Sequence, residues 1–495
     1  MAVHSPLRRL ADVPAAHALS RPQAVALHSE GRDITFEAFA ADCDAVARTL
    51  WHGWGVRPGG RVAWLGANHP GQLMLLFALA RIGAMLLPLN VRLAAAELKA
   101  QLAECEPVHL VHDEAMATLA REVCGQTAVH AHPVDALTAD GVSAGELPVA
   151  DVDADSSVLL VYTSGTASRP KAAVHTQGNL LANMRIASAV QRIAPDDVVA
   201  TMLPLFHVGG LCIQTLPALY AGAKVILHPR FNADAALDCF ERQRPTLTLQ
   251  VPATMKAMID HPRWRAADLS SLRAVWAGSS LLPAPLVDAF HARGVPVCNV
   301  YGATETGPFS IALPPEHASD HAGSCGWPAP EVEVRIEGGG EAGELLIRAP
   351  NVVARYWPDI PACDARGWFH TGDLASRAAD GSYTIRGRAK DLIISGGENI
   401  HPAEIESALA EHAAVADCAA FGVHDEVWGE TVAVAVVLQA GAIASEQELS
   451  AHLAQRIARF KLPRRWFWLE ALPKTALGKV QRQALAQLAN GGQSA

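Results

Sequence analysis

The sequence lacks any excess of basic charge: 40 Lys and Arg stand against 50 Asp and Glu, a formal net charge of −10. Nucleic acids and anionic membranes both reward basic patches, so neither is expected as a partner. Nine cysteines, an odd number with no CxxC pair, make neither a disulfide framework nor a zinc pattern. They read as reduced, mostly buried thiols of a cytoplasmic protein. Histidines are plentiful, yet no HExxH occurs, and His401 with Glu404 in HPAEIE reads as a capping or surface pair rather than a metal site. Arg8 and Arg9 are followed by Asp12, Pro14 and His17 instead of an apolar core, so no signal peptide is expected. The longest apolar stretch, 73–89, contains Arg81, Gly83 and Pro88 and reads as a buried helix and a turn, not a membrane span. Internal repeats and low-complexity tracts are absent, and only the tail at 490–495 is expected to fray.

What is present is ample apolar material: half of the 495 residues are hydrophobic, too long a chain for a single core and enough for at least two domains. Strand-like runs alternate with helical patterns at 61–65 and 71–84, 107–111 and 114–122, 224–227 and 234–244, 246–251 and 253–259, and 274–277 and 285–293. That alternation predicts α/β layers with largely parallel sheets. Residues 331–356 change to short alternating strands and turns, which predicts a small antiparallel β subdomain. After Arg388 a compact unit begins, with a helix at 403–412, a strand near 432–438 and a helix at 446–458. The expected boundary falls between Ala389 and Lys390, giving domains 1–389 and 390–495. The run GGGEAG at 338–343 satisfies GxGxxG, but ELLIRA after it is a strand pattern, so a hairpin turn is expected and not a dinucleotide site.

The most informative segment is YTSGTASRPK at 162–171, after the apolar run SVLLV. It suits a triphosphate: Gly165 lets backbone approach oxygens, Ser164 and Thr166 donate hydrogen bonds, and Lys171 supplies a point charge. It is not the Walker pattern, whose lysine directly follows a glycine. Four more segments follow: LPLFHVGG at 203–210, YGATETGP at 301–308, TGD at 371–373 with RGRAKDLIISGGENIHPAEIE at 386–406, and PKTALGKVQR at 473–482. Gly-rich or charged stretches beside apolar runs have the look of loops held on a rigid scaffold. Five such segments in this order closely resemble the adenylate-forming superfamily: acyl-CoA synthetases, aryl-CoA ligases, adenylation domains and beetle luciferases. The resemblance covers nearly the whole chain.

It implies a fold of class α/β, with a large N-terminal domain of layered α/β subdomains and a small antiparallel β subdomain, then a small mobile α+β C-terminal domain. It implies the partners ATP, Mg²⁺, CoA and a carboxylic acid. Site residues carried over from the resemblance begin with Thr163, Ser164, Gly165, Thr166 and Lys171 around the β- and γ-phosphates. Tyr301 and Gly302, with Gly278, Ser279 and Ser280, would flank adenine; Thr304 would meet the α-phosphate; Glu305, with Thr163, would hold Mg²⁺. Asp373, helped by Arg388, would take the ribose hydroxyls, and Lys479 would bridge the acyl carboxylate and α-phosphate. The loop departs from the usual TSGTTGxPKG at Ala167, Ser168 and Ala172, which removes one hydroxyl and two glycines and implies retained function with weaker ATP binding.

Adenylation domains for amino acids usually carry an aspartate just after the aromatic of the LPLFH-like segment. Here Phe206 is followed by His207, Val208, Gly209 and Gly210, so an amino acid is not expected. By the same resemblance His207, Val208, Leu249, Ala277, Val300 and Gly307 border the acyl pocket, with His207 as a catalytic-site gate. These apolar or small residues leave room for an aryl or alkyl acid. For the thiol, Gly396 and Gly397 would line a pantetheine tunnel, with Trp428, Phe460 and Arg464 at the CoA nucleotide. Lys390 matches the family's hinge. The expected activity is an ATP-dependent acyl-CoA ligase for a hydrophobic monocarboxylic acid, cytoplasmic and with a homodimer as one expected assembly. The alternative is a stand-alone enzyme loading an acyl carrier protein.

Overall fold

The computed structural model describes residues 7, 9–125, 127–138, 145–147, 152–163, 170–278, 282–338, 342–395, 398–425, 429–475 and 478–491. Nine strands among these form one sheet in the order Trp327–Pro328, Ile311–Ala312, Val297–Tyr301, Ala274–Gly278, Leu247–Gln250, Val198–Thr201, Lys224–Leu227, Val25–Ser29, Arg32–Thr35. The six strands from Val297–Tyr301 to Val25–Ser29 pair in parallel, and the edges are antiparallel. The helices Ala233–Arg242, Pro252–Ile259 and Ala284–His291 connect consecutive parallel strands, as the alternating pattern predicted.

A second, eight-stranded sheet runs Ile360–Pro361, Arg355–Tyr356, Ala172–Thr176, Ser157–Tyr162, Met85–Pro88, Arg61–Leu65, His109–His112, His130–Pro133. The helix Pro70–Ile82 packs on this sheet at Met85–Pro88 and Ser157–Tyr162 and against the helix Phe36–Arg48, and every residue from Gly71 to Ala80 is buried. Its sequence is apolar all round, which a helix tolerates only inside protein or lipid, and Gly83 ends it in the left-handed conformation at φ 73°. One core cluster joins both sheets through Trp64, Phe77, Leu159, Leu249 and Trp276.

The antiparallel unit is larger than the sequence pattern predicts. Glu333–Glu337 and Gly343–Arg348 pair as the expected hairpin, but Phe369–Arg377 and Tyr383–Arg388 complete a four-stranded sheet. The chemistry-bearing TGD and RGR segments are thus strands. From Ile393 onward, five strands and the helices Pro402–Ala410, Glu446–Ala454 and Arg482–Gly491 enclose two further core clusters built from that part of the chain alone. The helix at 114–122 resolves into a 3₁₀ turn, Glu114–Met116, with Asp113 capping it, then Ala117–Cys124. No helix among the described residues is long and apolar enough to cross a membrane.

Candidate active site

The ends of the Gly-rich loop are tied together by backbone. Ser157–Tyr162 and Ala172–Thr176 pair antiparallel, Thr163 N donates to Lys171 O at 2.8 Å, and Lys171 N donates to Thr163 Oγ1 at 3.3 Å. Ser164, Gly165, Thr166, Ala167 and Ser168 lie outside the described residues, as do Ser279, Ser280, Gly396, Gly397 and Trp428. Ala172, in place of the family's glycine, is a buried strand residue paired with Tyr162, a setting that asks for no glycine. Lys171 places its ammonium 5.0 Å from the centre of the Tyr356 ring.

Tyr356 reaches the next loop: its hydroxyl donates to Glu305 Oε1 at 2.7 Å. That loop leaves the C-terminal end of the central strand Val297–Tyr301 through Gly302, where a Cβ would lie 1.7 Å from Pro308 O. Only glycine fits so close an approach. The 3₁₀ turn Thr304–Thr306 follows, with Thr304 buried. Asn351 braces it: Nδ2 donates to Thr306 O at 2.8 Å and Phe309 O at 3.0 Å, while Val353 N donates to Glu305 O at 2.8 Å.

Across from this loop stands Asp373, 7 % exposed, on the strand Phe369–Arg377. Its Oδ1 accepts from Arg388 Nε at 2.6 Å and its Oδ2 from the Tyr301 hydroxyl at 2.5 Å. Burial raises the Asp373 pKa, opposed by Arg388, Tyr301 and Lys479. Burial and the neighbouring Asp373 carboxylate push the Tyr301 phenol up in turn, so it stays a donor. Each carboxylate oxygen keeps a second lone pair, enough for a pair of vicinal hydroxyls.

Lys479 lies among these groups. Burial lowers its pKa, Arg388 and Lys390 push the same way, and Asp373 and Glu305 oppose them. His207 is close enough for the Lys479 charge to add to the burial that takes its pKa down to about 4, so at neutral pH the ring is uncharged. Its Nδ1 accepts from Gly209 N at 3.1 Å, which leaves the proton on Nε2. Five separate segments therefore converge on one cleft: Lys171, His207, Thr304 with Glu305, Asp373 with Arg388, and Lys479.

The acyl-pocket residues divide between two faces of the central sheet. Leu249 and Val300 share a face with Trp276 and Val208 in the main core, whereas Ala277 packs in the cluster on the opposite side. Gly307 sits at the end of the 3₁₀ turn at φ 95°. Of the CoA candidates, Phe460 is 47 % exposed, with Lys461 over its ring, and Arg464 is exposed on the segment leading into Arg465–Trp468. Lys390 is exposed in the 3₁₀ turn Ala389–Asp391. His401 holds the position before the helix Pro402–Ala410 without a side-chain capping bond, and Glu404 pairs with Lys461 at 2.6 Å. Asn351 and Tyr356 were not singled out from the sequence; a Pro-Asn pair and a Tyr-Trp pair at 350–357 carry no local sign of partners 45 and 51 residues away.

Residues 15–357 match the AMP-binding enzyme family, and residues 404–479 match the AMP-binding enzyme C-terminal domain. The chain belongs to the AMP-binding enzymes. It is 41 % identical to an indoleacetate–CoA ligase of Aromatoleum aromaticum over 493 residues, 95 % of this chain and 96 % of the relative. It is 39 % identical to a feruloyl-CoA synthase of an Amycolatopsis species, covering 94 % and 96 %. Among solved structures, an anthranilate CoA ligase in complex with anthranoyl-AMP superposes with a TM-score of 0.91 at 25 % identity, over 99 % of both chains. The o-succinylbenzoate CoA synthetase of Bacillus subtilis, holding its acyl-adenylate intermediate, gives 0.88 at 30 % identity, over 96 % of this chain and 97 % of that one. This AMP-binding enzyme is an acid–thiol ligase that uses ATP, Mg²⁺ and CoA and works through an acyl-AMP.

Proposed function

We propose that the acid this enzyme activates is an aromatic monocarboxylic acid, of the kind named for the indoleacetate and feruloyl relatives. The observation that carries this reading is the apolar set Val208, Leu249 and Val300, packed together on one face of the nine-stranded sheet and joined to the cluster of Lys479, Glu305 and Asp373 through Tyr301, which follows Val300 and donates to Asp373. A flat ring can lie on that face while its carboxylate reaches the cations. In the first step a carboxylate oxygen attacks the α-phosphorus and pyrophosphate leaves. Lys479 sits between the two anions, Thr304 meets the α-phosphate, Lys171 with Thr163, Ser164, Gly165 and Thr166 holds the outer phosphates, and Tyr301 stacks on adenine beside Gly302, Gly278, Ser279 and Ser280. Mg²⁺ is a hard cation that commonly takes one or two carboxylates plus phosphates, and the Glu305 carboxylate and Thr163 hydroxyl are donors of that kind. When bound it spreads the charge of the departing pyrophosphate.

In the second step the CoA thiol attacks the acyl carbon and AMP leaves. Gly396, Gly397, Trp428, Phe460 and Arg464 serve that step, with domains 1–389 and 390–495 reorienting about Lys390. Nine free thiols, seven of them buried, support a cytoplasmic setting. A homodimer is the proposed assembly, and sedimentation tests it.

A panel of aryl and alkyl acids, assayed for AMP release with and without CoA, tests the reading. Aryl acids should be turned over with the higher kcat/KM and only with thioester formation. A preference for alkyl acids, or AMP release that needs a carrier protein instead of CoA, would overturn it.

Two further outcomes follow from the cleft. Asp373→Ala removes a charge-assisted partner for the ribose hydroxyls, each such bond worth roughly 1.5–3 kcal/mol, so the KM for ATP should rise about tenfold or more. Because Arg388 and the Tyr301 hydroxyl also lose their partner, Asp373→Asn should recover part of the loss. The lowered Lys479 pKa means the ammonium loses its proton at a pH below the usual lysine range. The kcat/KM of adenylation, which reports the free enzyme, should therefore fall on the alkaline side below that range, and Lys479→Arg should move the limb upward.

A further inference from the structure

Beside Leu249 lies a small void of about 10 Å³, room for one water-sized group such as a hydroxyl, lined by Thr201, Met202, Leu203, Gly210, Gln214 and Leu249. It adjoins the residues assigned to the acyl pocket through Leu249, and Gly210 stands three residues beyond His207, the ring within reach of the Lys479 charge. Gly210 is required there, since a Cβ would lie 2.3 Å from Pro204 O. The hydroxyl lining the cavity is already engaged: Thr215 Oγ1 donates to Gly210 O at 2.7 Å and so accepts from Thr201 Oγ1 at 2.9 Å.

Gln214 is different. It is 2 % exposed, and among the described residues no donor reaches its Oε1. Its orientation is set by a relay from Gln191, whose Nε2 donates to Ile213 O at 2.7 Å and Ala187 O at 3.2 Å. With both amide hydrogens turned to carbonyls, Gln191 can offer Gln214 only its oxygen, and Gln214 Nε2 donates to it at 2.9 Å. Flipping either amide would set oxygen against oxygen. The relay therefore leaves one fixed, buried acceptor on a residue that lines the cavity.

We propose that Gln214 Oε1 is a specificity acceptor at the distal end of the acyl pocket, and that the preferred acid carries an N–H or O–H donor on its ring, remote from the carboxylate. This rests on the aryl-acid reading above. A buried acceptor left unpaired disfavours ligands that fill the space without a donor, while a donor-bearing ring satisfies it. An indole N–H and a phenol O–H are the two sources of that chemistry.

The test compares kcat/KM for indole-3-acetate with benzothiophene-3-acetate, and for 4-hydroxycinnamate with cinnamate, in the native enzyme and in Gln214→Met. In the native enzyme at least one donor acid should exceed its donor-free counterpart by about tenfold or more, and the pair that does so identifies the source. In Gln214→Met that ratio should fall to within about threefold, the donor-free acid gaining and the donor-bearing acid losing kcat/KM. Gln191→Met/Gln214→Met removes both amides together and keeps the comparison available where the single variant folds poorly. Equal kcat/KM within both pairs in the native enzyme, or a preference that survives in either variant, overturns the assignment. If no aryl acid is turned over at all, the aryl-acid reading falls and this inference with it.

Discussion

Replacing Lys479 with alanine is expected to abolish acyl-AMP formation while sparing the second half-reaction. The ammonium lies in a buried setting whose nearest charges are Arg388, Asp373, Glu305 and Lys390. Adenylation brings a carboxylate against a triphosphate there, and a preorganised cation in a water-poor site is worth far more than in bulk solvent. Arg388 cannot substitute, because its Nε is held by Asp373 at 2.6 Å and its Nη1 by Thr371 O at 3.1 Å. Acid-dependent pyrophosphate exchange should fall by about a thousandfold or more, ~4 kcal/mol of barrier. Preformed acyl-AMP with CoA should still give thioester at close to the native rate. A variant that makes acyl-CoA from ATP and acid at near-native rate would remove Lys479 from the mechanism.

Lys390→Pro is expected to separate the two half-reactions in the opposite sense. The structure places Lys479 in the cleft, the arrangement that its proposed role in adenylation calls for. In the proposed second step Gly396 and Gly397 line the thiol tunnel, and they lie in the same C-terminal part of the sequence as Lys479, so one static arrangement would not serve both steps. Lys390 sits in the 3₁₀ turn Ala389–Asp391, directly after the strand that ends at Arg388. On its far side Asp391 is anchored by Arg482, 3.4 Å away, and Arg482 also holds the buried Glu406 at 2.6 Å. Rotation is thereby concentrated on few bonds. Proline fixes φ near −65°, about the value of a 3₁₀ residue, so it should lock the arrangement seen here. Pyrophosphate exchange should stay within a few-fold, and thioester formation from acyl-AMP should fall by roughly a hundredfold, about 3 kcal/mol. Equal losses in both steps, or none in either, would dismiss the hinge.

The outline of the fold was readable because period and punctuation agreed: Arg61–Leu65 and Lys224–Leu227 are strands at the expected residues, and the Gly-rich decoy at 338–343 joins two antiparallel strands. The candidate site was readable to the extent that charged or hydroxyl residues in Gly-rich segments beside apolar runs, Tyr301, Glu305, Asp373 and Lys479, come together in the fold. It was not readable where a polar residue acts at long range from an unremarkable neighbourhood. Tyr356 and Asn351 reach Glu305 and Thr306 only through the fold, and Gln191 and Gln214 look like isolated polar breaks in helical segments. The strands Phe369–Arg377 and Tyr383–Arg388 were hidden for a related reason: their register is set by pairing with Gly343–Arg348 and with each other, not by a clean local alternation.

The central claim is that one cleft first joins the acid to AMP and then releases AMP to a thiol. Transfer of ¹⁸O from a doubly labelled aryl carboxylate tests it most directly. A carboxylate oxygen that attacks the α-phosphorus stays on that phosphorus when the thiol takes the acyl group. The account predicts one ¹⁸O in the AMP for each thioester formed, and acid-dependent pyrophosphate exchange without CoA. Unlabelled AMP, or ADP with labelled phosphate in its place, would contradict it.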